Sequence, residues 1–366
     1  MGWRCSEAKQ PHAATGRRKG RQRCLPFLYP SAGETARGSM DCLTGVADQF
    51  WDQTRNGLVV GAIYAMIALG YTLVYGVLQL INFAHSEVFM VSTVVTLHAT
   101  TEWYGVTEPL HGVALALILI GVLLPAMLAS GLAAVTLERV AYRPLRKRGA
   151  PRLSFLISAI GASLAIQYLF ALMDGQHSLL FVPLPDLLGP SPRAIPEIMS
   201  NDTLFTVFGT TITNKHVLVI VVAVAMLFLL DTFVRTTRTG RGIRAVAQDP
   251  EVASLMGVNI DRVIVATFFL GGLMAGAAGV LFVIRLNAPA GFLIGFLPGI
   301  KAFTAAVLGG IGNIRGAMLG GLLLGMFEAH GTACIGGHWQ TLIAFVVLVV
   351  VLMVRPTGIL GERVRA

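Results

Sequence analysis

Ionisable side chains that could relay protons or bind ions are scarce in the apolar parts of this 366-residue sequence. His85 and Glu87 lie at a break between two apolar runs, and Glu328 lies towards the end of another. Because a charge in hydrocarbon is costly, an ionisable residue inside a membrane span normally marks a proton relay or an ion path. These positions argue against a proton-coupled carrier and favour an energy source outside this chain.

Motifs for hydrolytic chemistry are absent from the sequence. It lacks the GxxxxGK[ST] loop that cradles phosphates, so the chain has no P-loop route to ATP hydrolysis. It also lacks HExxH and GxSxG, the patterns of zinc proteases and serine hydrolases. The cysteines show no CxxC spacing. We therefore predict that the chain is not an enzyme and holds no cofactor and no metal.

The bulk composition indicates a polytopic membrane protein. The chain is 55% hydrophobic and only 13% charged, whereas about a quarter of the residues of a soluble domain are charged. We expect an all-α transmembrane helical bundle. The net charge of +9 does not point to nucleic acid, because the basic residues lie between apolar runs, where they act as topology signals.

A helix needs about 20 apolar residues to cross the hydrocarbon core. Several candidate spans are shorter than this, so we predict broken or re-entrant helices and about eight to ten crossings. The candidates are 56–80, 87–101, 111–137, 153–173, 216–234, 262–284, 297–312, 316–331 and 339–354.

The distribution of Lys and Arg predicts the orientation. Segment 138–152 carries six basic residues and 235–262 carries five, which places both in the cytoplasm. Segments 102–110 and 331–338 carry no Lys or Arg, and 174–215 carries two against four acids. These three segments are predicted to lie outside.

Residues 1–39 differ in composition from the remainder of the chain, with a basic run and scattered Pro, Gly and Ser. We expect them to be a disordered or non-native extension, with Met40 as the natural start; a basic tail that binds lipid headgroups is the alternative. Residues 40–366 would then form a single domain.

Small residues recur four apart along several apolar runs, a spacing that lets helix backbones approach closely. Packing inside the chain is the favoured explanation, and a dimer face is the alternative. The glycines concerned are Gly57/Gly61, Gly272/Gly276, Gly291/Gly295/Gly299, Gly316/Gly320 and Gly321/Gly325.

Two stretches interrupt the apolar pattern with polar side chains or glycine-rich backbone. They are INFAHSE at 81–87 and LGGIGNIRG at 308–316. Irregular backbone at membrane depth is tolerated where it lines a cavity or is buried in protein. A tight cytoplasmic loop and a pathway element both fit each stretch.

A short helix with marked ends interrupts the apolar pattern at 250–256. Asp249 can cap the first free amides, Pro250 suits the first helical position and Glu251 complements the helix dipole. Gly257 can adopt the left-handed conformation that ends a helix.

This helix is too short to span a membrane, and it carries apolar side chains on the cytoplasmic side. Two explanations fit equally: it docks in the groove of a partner, or it lies on its own transmembrane bundle. The apolar residues are Val252, Leu255 and Met256.

Several motifs, in this order, resemble the permease subunits of branched-chain amino-acid ABC importers of the LivH type. The resemblance covers essentially 56–361, and its motifs are NGLVVGAIYAMIALGYTLVYGV, INFAHSE, AVAQDPEVASLMGVNIDRV, KAFTAAVLGGIGNIRGAMLGG and RPTGILG.

The resemblance implies a multi-pass protein of the bacterial inner membrane whose cytoplasmic segment docks on separate ATPase subunits, which use the ATP. It also implies three further partners. They are a second permease subunit, which forms a heterodimer with this chain, a periplasmic solute-binding protein and the membrane lipid. The implied coupling residues are Asp249, Pro250, Glu251, Ala253, Leu255, Met256, Gly257 and Asn259, of which Ala253, Leu255, Met256 and Gly257 would form the contact surface. The implied pathway candidates are Asn82, His85, Glu87, Gly309, Gly310 and Gly312.

The chain departs from the family pattern at two positions. Ser86 stands where Gly is usual, which costs little if the backbone there has negative φ. Arg315 stands where Pro is usual and adds a charge suited to a cytoplasmic turn.

The implied cargo is a branched-chain amino acid. Urea or a short amide remains an alternative cargo, because closely similar permeases carry them. An ion-coupled secondary transporter and a scaffold without transport are alternatives from other classes.

Overall fold

A computed structural model describes residues 49–173, 175, 178–179, 182–183, 186–207, 209–355 and 357–361. The predicted extension 1–39 and the start at Met40 lie outside the described residues.

The described chain is built from helices that follow the apolar segments. The α-helices are α1 (Phe50–Leu78), α2 (His85–His98), α3 (Gly112–Leu137), α4 (Arg143–Lys147), α5 (Arg152–Leu172), α6 (Asn214–Thr236), α7 (Arg238–Gln248), α8 (Pro250–Leu255), α9 (Ile260–Leu286), α10 (Phe296–Gly309), α11 (Ile314–Ile335) and α12 (Gln340–Val354). Two π-helical turns, Ala99–Trp103 and Glu138–Tyr142, extend α2 and α3, and a 3₁₀ turn, Gly337–Trp339, precedes α12.

Every predicted span is helical in the structure, and the polytopic helical fold is confirmed. Six helices in the described residues are long and apolar enough to cross a membrane, namely Phe50–Leu78, Gly112–Lys147, Arg152–Leu172, Asn214–Thr236, Ile260–Leu286 and Gly337–Val354. Helices α2 and α10 have only 14 residues each, which is about 21 Å of helix. The predicted short helices are therefore present.

Two small antiparallel hairpins lie in the segment between α5 and α6, where no strand was predicted. One pairs β1 (Ser178–Leu179) with β2 (Val182–Pro183), and the other pairs β3 (Thr203–Val207) with β4 (Thr210–Thr213). Each is a local pairing within a connection whose apolar runs are too short to cross a membrane, so the helical bundle is unchanged.

The two ends of the bundle gather the segments that the charge pattern sorted. At one end, Arg146 Nη2 donates to Asp261 Oδ1 at 2.7 Å, which joins the two basic segments. At the other end, Lys215 Nζ lies 2.5 Å from Glu197 Oε1 and 3.2 Å from Asn287 Oδ1.

Helices α1 and α9 form the buried centre of the bundle, whereas α3, α5 and α12 expose most of their apolar surface. A helix that is apolar on all sides and exposed in the isolated chain suits a lipid or protein neighbour in the membrane.

The glycines spaced by four pack inside the chain. A Cβ added at Gly321 would lie 2.4 Å from Ala65 Cα, and one at Gly325 would lie 2.4 Å from Gly61 Cα, so α1 and α11 touch along their backbones. On the other side of the centre, a Cβ at Gly276 would lie 2.6 Å from Met127 Cα of α3. These contacts support internal packing rather than a dimer face.

Candidate functional site

The short helix α8 has the capped ends that its sequence predicts. Asp249 Oδ1 accepts the backbone N–H groups of Glu251 at 2.9 Å and Val252 at 3.0 Å, and Pro250 occupies the first turn. Gly257 ends the helix with φ of +82°, a backbone conformation that residues with a Cβ rarely adopt.

Helix α8 presents apolar side chains to solvent rather than to its own bundle. Leu255 is 86% exposed, Met256 81% and Val252 54%. Ala253 is only 4% exposed and belongs to the hydrophobic core, so its predicted place on the contact surface is wrong. As the small residue on the inner side of α8, it holds the helix on the bundle.

Asn259 also has a structural role, because its side chain caps the next helix. Its Oδ1 accepts the N–H of Arg262 at 3.0 Å at the start of α9. The turn after α8 is therefore held at both ends, by the backbone of Gly257 and by this cap. A short turn therefore joins α8 directly to the central helix α9.

An ionic network supports the start of α9. Glu138 is fully buried, and Arg146 Nη2 lies 3.0 Å from its Oε1 and 2.7 Å from Asp261 Oδ1. Arg143 Nη2 lies 3.3 Å from Asp261 Oδ2. These contacts tie residues 138–147, which form the elbow after α3, to the base of α9, next to the exposed helix α8.

Glu87 lies inside the bundle rather than at an exposed turn. Its side chain is fully buried, and its Oε1 accepts from Gln167 Nε2 at 2.7 Å and from Ser163 Oγ at 3.1 Å. The Ser86 hydroxyl lies 3.0 Å from the same oxygen. Among the described residues, Oε2 has no hydrogen-bond partner. The sequence interpretation placed Glu87 at a turn because it could not foresee that α5 covers it.

His85 and Asn82 are buried as well, at 1% and 2% exposure. The ring of His85 lies edge-on to that of Tyr71, with centroids 4.7 Å apart. Asn82 Oδ1 accepts the hydroxyl of Tyr142 at 2.8 Å. Tyr71 lies seven residues before the end of α1, about 10 Å of helix rise, so the chain turns back into the bundle before α2 begins.

The starts of α2 and α10 meet inside the protein. A Cβ at Gly295 would lie 2.2 Å from the Ser86 carbonyl oxygen, and one at Gly299 would lie 2.4 Å from Ser86 Cβ. Ser86 is in α2 and has negative φ, the condition under which Ser in place of Gly was expected to cost little. The glycines of α10 make room for its side chain.

The other predicted pathway glycines lie at the opposite end of α10, against the C-terminal segment. A Cβ at Gly309 would lie 1.9 Å from the Gly316 carbonyl oxygen, and one at Gly310 would lie 2.4 Å from Gly361 N. Leu360 N donates to the Gly309 carbonyl at 2.9 Å. Gly312 has φ of +97° and open space around it. Close backbone packing and turn geometry account for these glycines.

The turn at 310–313 leads directly into α11. Asn313 Oδ1 accepts the N–H groups of Arg315 at 3.0 Å and Gly316 at 3.2 Å, while its Nδ2 donates to the Leu360 carbonyl at 3.0 Å. Proline at position 315 could not donate the first of these bonds. The side chain of Arg315 is exposed, as expected for a charged turn.

A buried ion pair that the sequence interpretation missed joins α10 to α11. Lys301 Nζ lies 3.2 Å from both carboxylate oxygens of Glu328. Tyr64 OH donates to Glu328 Oε2 at 3.0 Å, and Gln340 Nε2 donates to it at 2.9 Å. Lys301 interrupts an apolar run, which is the signal that should have marked it. Glu328 is 1% exposed, because α12 covers it.

The structure therefore separates the predicted residues into three places. The exposed side chains of α8 lie at the basic end, Asn82, His85 and Glu87 lie in the buried interior, and the three glycines lie beside the C-terminal segment. It adds a fourth place, the ion pair of Lys301 and Glu328.

Comparisons with known proteins identify the family of the chain. The family described as branched-chain amino acid transport system, permease component, matches residues 53–352. The high-affinity branched-chain amino acid transport system permease protein BraD of Pseudomonas aeruginosa is 40% identical over 320 residues, 86% of this chain and 96% of that protein.

Two further relatives have nearly the same similarity. The permease protein LivH of Salmonella typhimurium is 40% identical and that of Escherichia coli 39%, each over 325 residues that cover 86% of this chain and 96% of the relative. The resemblance drawn from the motifs is confirmed. The chain is a multi-pass membrane protein that belongs to the branched-chain amino acid transport permease family.

Proposed function

We propose that this chain is the membrane permease subunit of an ATP-driven importer of branched-chain amino acids in a bacterial inner membrane. The observation that carries the proposal is the exposed, capped helix α8 at the basic end of a bundle whose sequence is 40% identical to BraD. A permease component is one part of a transport system, so the chain works with other subunits.

Helix α8 is the contact for a cytoplasmic ATPase subunit in this proposal. Leu255 and Met256 are apolar, more than 80% exposed, and held on a segment too short to enter the membrane. Apolar side chains on a short helix fit a hydrophobic groove of a partner. Asp249, Pro250, Glu251 and Gly257 set the ends of the helix and so present these side chains.

Transport follows from the connection between α8 and the bundle. Closure of the ATPase subunits on ATP moves α8, and the short turn capped by Asn259 passes that movement to α9. The chain itself binds no cofactor and makes no chemical change in the cargo. A similar permease pairs with it, as a heterodimer around a central path, and a solute-binding protein docks on the outer face.

The path for the cargo runs past Asn82, His85 and Glu87 in this proposal. These groups are polar, buried, and close to the joint between α2 and α10, where two short helices meet. Broken helices at membrane depth are the usual place for substrate sites in transporters. The close packing at Gly309 and Gly310 leaves them a supporting role at the cytoplasmic end.

The test is Leu255→Asp in the full chain, coexpressed with its ATPase and partner permease. We expect normal membrane insertion but loss of ATPase copurification and of ATP-dependent leucine uptake into proteoliposomes. Leu360→Asp is the matched control, because Leu360 is 39% exposed on the C-terminal segment; it should retain both. Normal ATPase copurification with Leu255→Asp would contradict the assignment of α8.

The energy source distinguishes this function from that of a secondary transporter. We expect uptake to require ATP on the side of the vesicle membrane where the ATPase subunits lie. Uptake should persist when proton and sodium gradients are collapsed. Accumulation by the purified chain alone would contradict the proposal. Competition by urea or short amides against labelled leucine tests the alternative cargo.

A further inference from the structure

A groove of about 440 Å³ lies at the basic end of the bundle, between α3 and α9. It does not involve α8 or the buried polar residues assigned above. Its walls combine charged side chains with apolar ones, and they are Val135, Arg139, Arg143, Asp261, Arg262, Val265, Ala266 and Phe269.

The mouth of the groove carries more positive charge than its own acid can balance. Asp261 already pairs with Arg143 at 3.3 Å and with Arg146 at 2.7 Å. Arg139 and Arg262 are exposed, and within the described residues neither side chain has a hydrogen bond or an ion pair. Two guanidinium groups are therefore free to bind an anion beside the membrane surface.

The floor of the groove is apolar and runs into the membrane. Phe269 lies seven residues beyond Arg262 along α9, about 10 Å deeper. Its ring crosses the backbone of α3, since a Cβ at Gly131 would lie 2.7 Å from Phe269 Cε2. Val135 and Ala266 line the space between Phe269, at the deep end of the groove, and the arginines at its mouth.

We propose that this groove binds the headgroup and the first part of an acyl chain of an anionic phospholipid. Cationic side chains above an apolar trough match an amphiphile with a phosphate at one end and hydrocarbon at the other. Basic pockets between transmembrane helices on the cytoplasmic side bind anionic headgroups in this way. An acidic protein segment would satisfy the arginines but would not fill a trough at hydrocarbon depth.

A bound lipid would bridge the elbow after α3 and the base of α9. These are the two elements that the Arg146 network also joins. Anionic lipid would thereby strengthen the support on which α8 stands.

Native mass spectrometry of the purified full chain tests the groove. The chain is offered equal amounts of dioleoyl phosphatidylglycerol and dioleoyl phosphatidylcholine, and retention of each is measured. We expect a preference for phosphatidylglycerol that falls by tenfold or more in Arg139→Gln/Arg262→Gln, because each arginine near an anionic surface contributes about fivefold to binding.

Two control variants separate a groove from diffuse attraction. Arg241→Gln/Arg315→Gln removes the same charge from exposed cytoplasmic positions outside the groove and should keep the preference. Arg139→Lys/Arg262→Lys keeps the positive charge at the groove and should retain most of the preference. An unchanged preference in the glutamine groove variant, or an equal loss in the Arg241/Arg315 variant, would overturn the proposal.

Two further experiments test the apolar part of the groove and the source of the phosphate. Ala266→Phe should lower phosphatidylglycerol retention without any change of charge, and unchanged retention would show that no acyl chain lies in the groove. Millimolar sn-glycerol 3-phosphate should not displace the lipid; displacement would show that a free phosphate is sufficient.

Loss of ATPase copurification in the glutamine groove variant, with lipid preference intact, would assign the groove to a protein contact instead. Equal melting temperatures establish that the variants are folded.

Discussion

At the scale of single residues, burial requires the few ionisable groups inside the bundle to have partners. Lys301 and Glu328 would each be costly alone in an apolar interior, and they are tolerated because they face each other and two further polar groups. The pair links α10 to α11, while Tyr64 and Gln340 attach it to α1 and α12. It is a joint among four helices rather than a surface contact.

The first prediction concerns that joint. Lys301→Met or Glu328→Gln alone should destabilise the protein by about 3–5 kcal/mol, because each leaves the other charge buried without its partner. The double variant should lose less than the sum of the two. Melting temperatures in detergent, combined as a double-mutant cycle, measure the coupling.

A control exists at the end of the bundle that carries the hairpins. Glu197 pairs with Lys215; Glu197 is 43% exposed, whereas Lys215 is 4% exposed. Because Asn287 Oδ1 still accepts from Lys215 and water reaches position 197, Glu197→Gln should destabilise the protein less than either single change at the joint. The hydrogen bond and charge of Lys215 hold the pKa of Glu197 below its usual value, so this contribution is present at neutral pH and lost on acidification. Strictly additive losses at Lys301 and Glu328 would refute the coupled joint.

At the scale of elements, glycine positions show how short helices are held against one another. Helix α10 is close to Ser86 at its start and to the C-terminal segment at its end. At both ends the neighbouring atoms occupy the space that a Cβ would need. The arrangement anchors α10 although it is too short to span the membrane.

The second prediction separates packing from backbone strain in the turn after α10. Gly310 and Gly312 have similar positive φ, +106° and +97°, but only Gly310 touches the C-terminal segment. Gly312→Ala should cost about 1–3 kcal/mol, the range for a strained backbone conformation. Gly310→Ala should cost more and release residues 357–361 from the turn.

Limited proteolysis at the C-terminus, together with melting temperature, measures this difference. Faster cleavage should appear in Gly310→Ala and not in Gly312→Ala. If both variants behave alike, the contact with Gly361 contributes nothing and strain alone explains both glycines.

At the scale of the whole molecule, the segments that connect the long helices lie at two opposite ends of the bundle. The basic end carries α8, the elbow after α3 and the C-terminal segment, while the other end carries the two hairpins. In the proposed orientation, the basic end faces the cytoplasm.

The third prediction tests that orientation by cysteine labelling. In a background without native cysteines and without the ATPase subunit, Leu255→Cys should react with a membrane-impermeant maleimide only after the cell membrane is opened. Leu204→Cys, in the exposed strand β3, should react in spheroplasts with intact membranes. Both side chains are more than half exposed, so access rather than burial decides the result. The reverse labelling pattern would invert the topology and remove α8 from the ATPase.

The sequence by itself determined the helical spans, the charged and uncharged ends, the capped helix α8 and the family. These features are local, since they depend on apolar run length, on Lys and Arg between runs, and on residues such as Asp249, Pro250 and Gly257 that act on their own backbone. Motif order carried the family resemblance in the same way, without any knowledge of contacts.

Only the tertiary structure decided which polar groups are buried and what they meet. Lys301 and Glu328 are 27 positions apart, Glu87 and Gln167 are 80 apart, and no local pattern brings such groups together. Ala253 lies inward for the same reason, because the face that α8 turns towards the bundle is set by α7 and α9. The groove between α3 and α9 likewise exists only where two distant helices lie side by side.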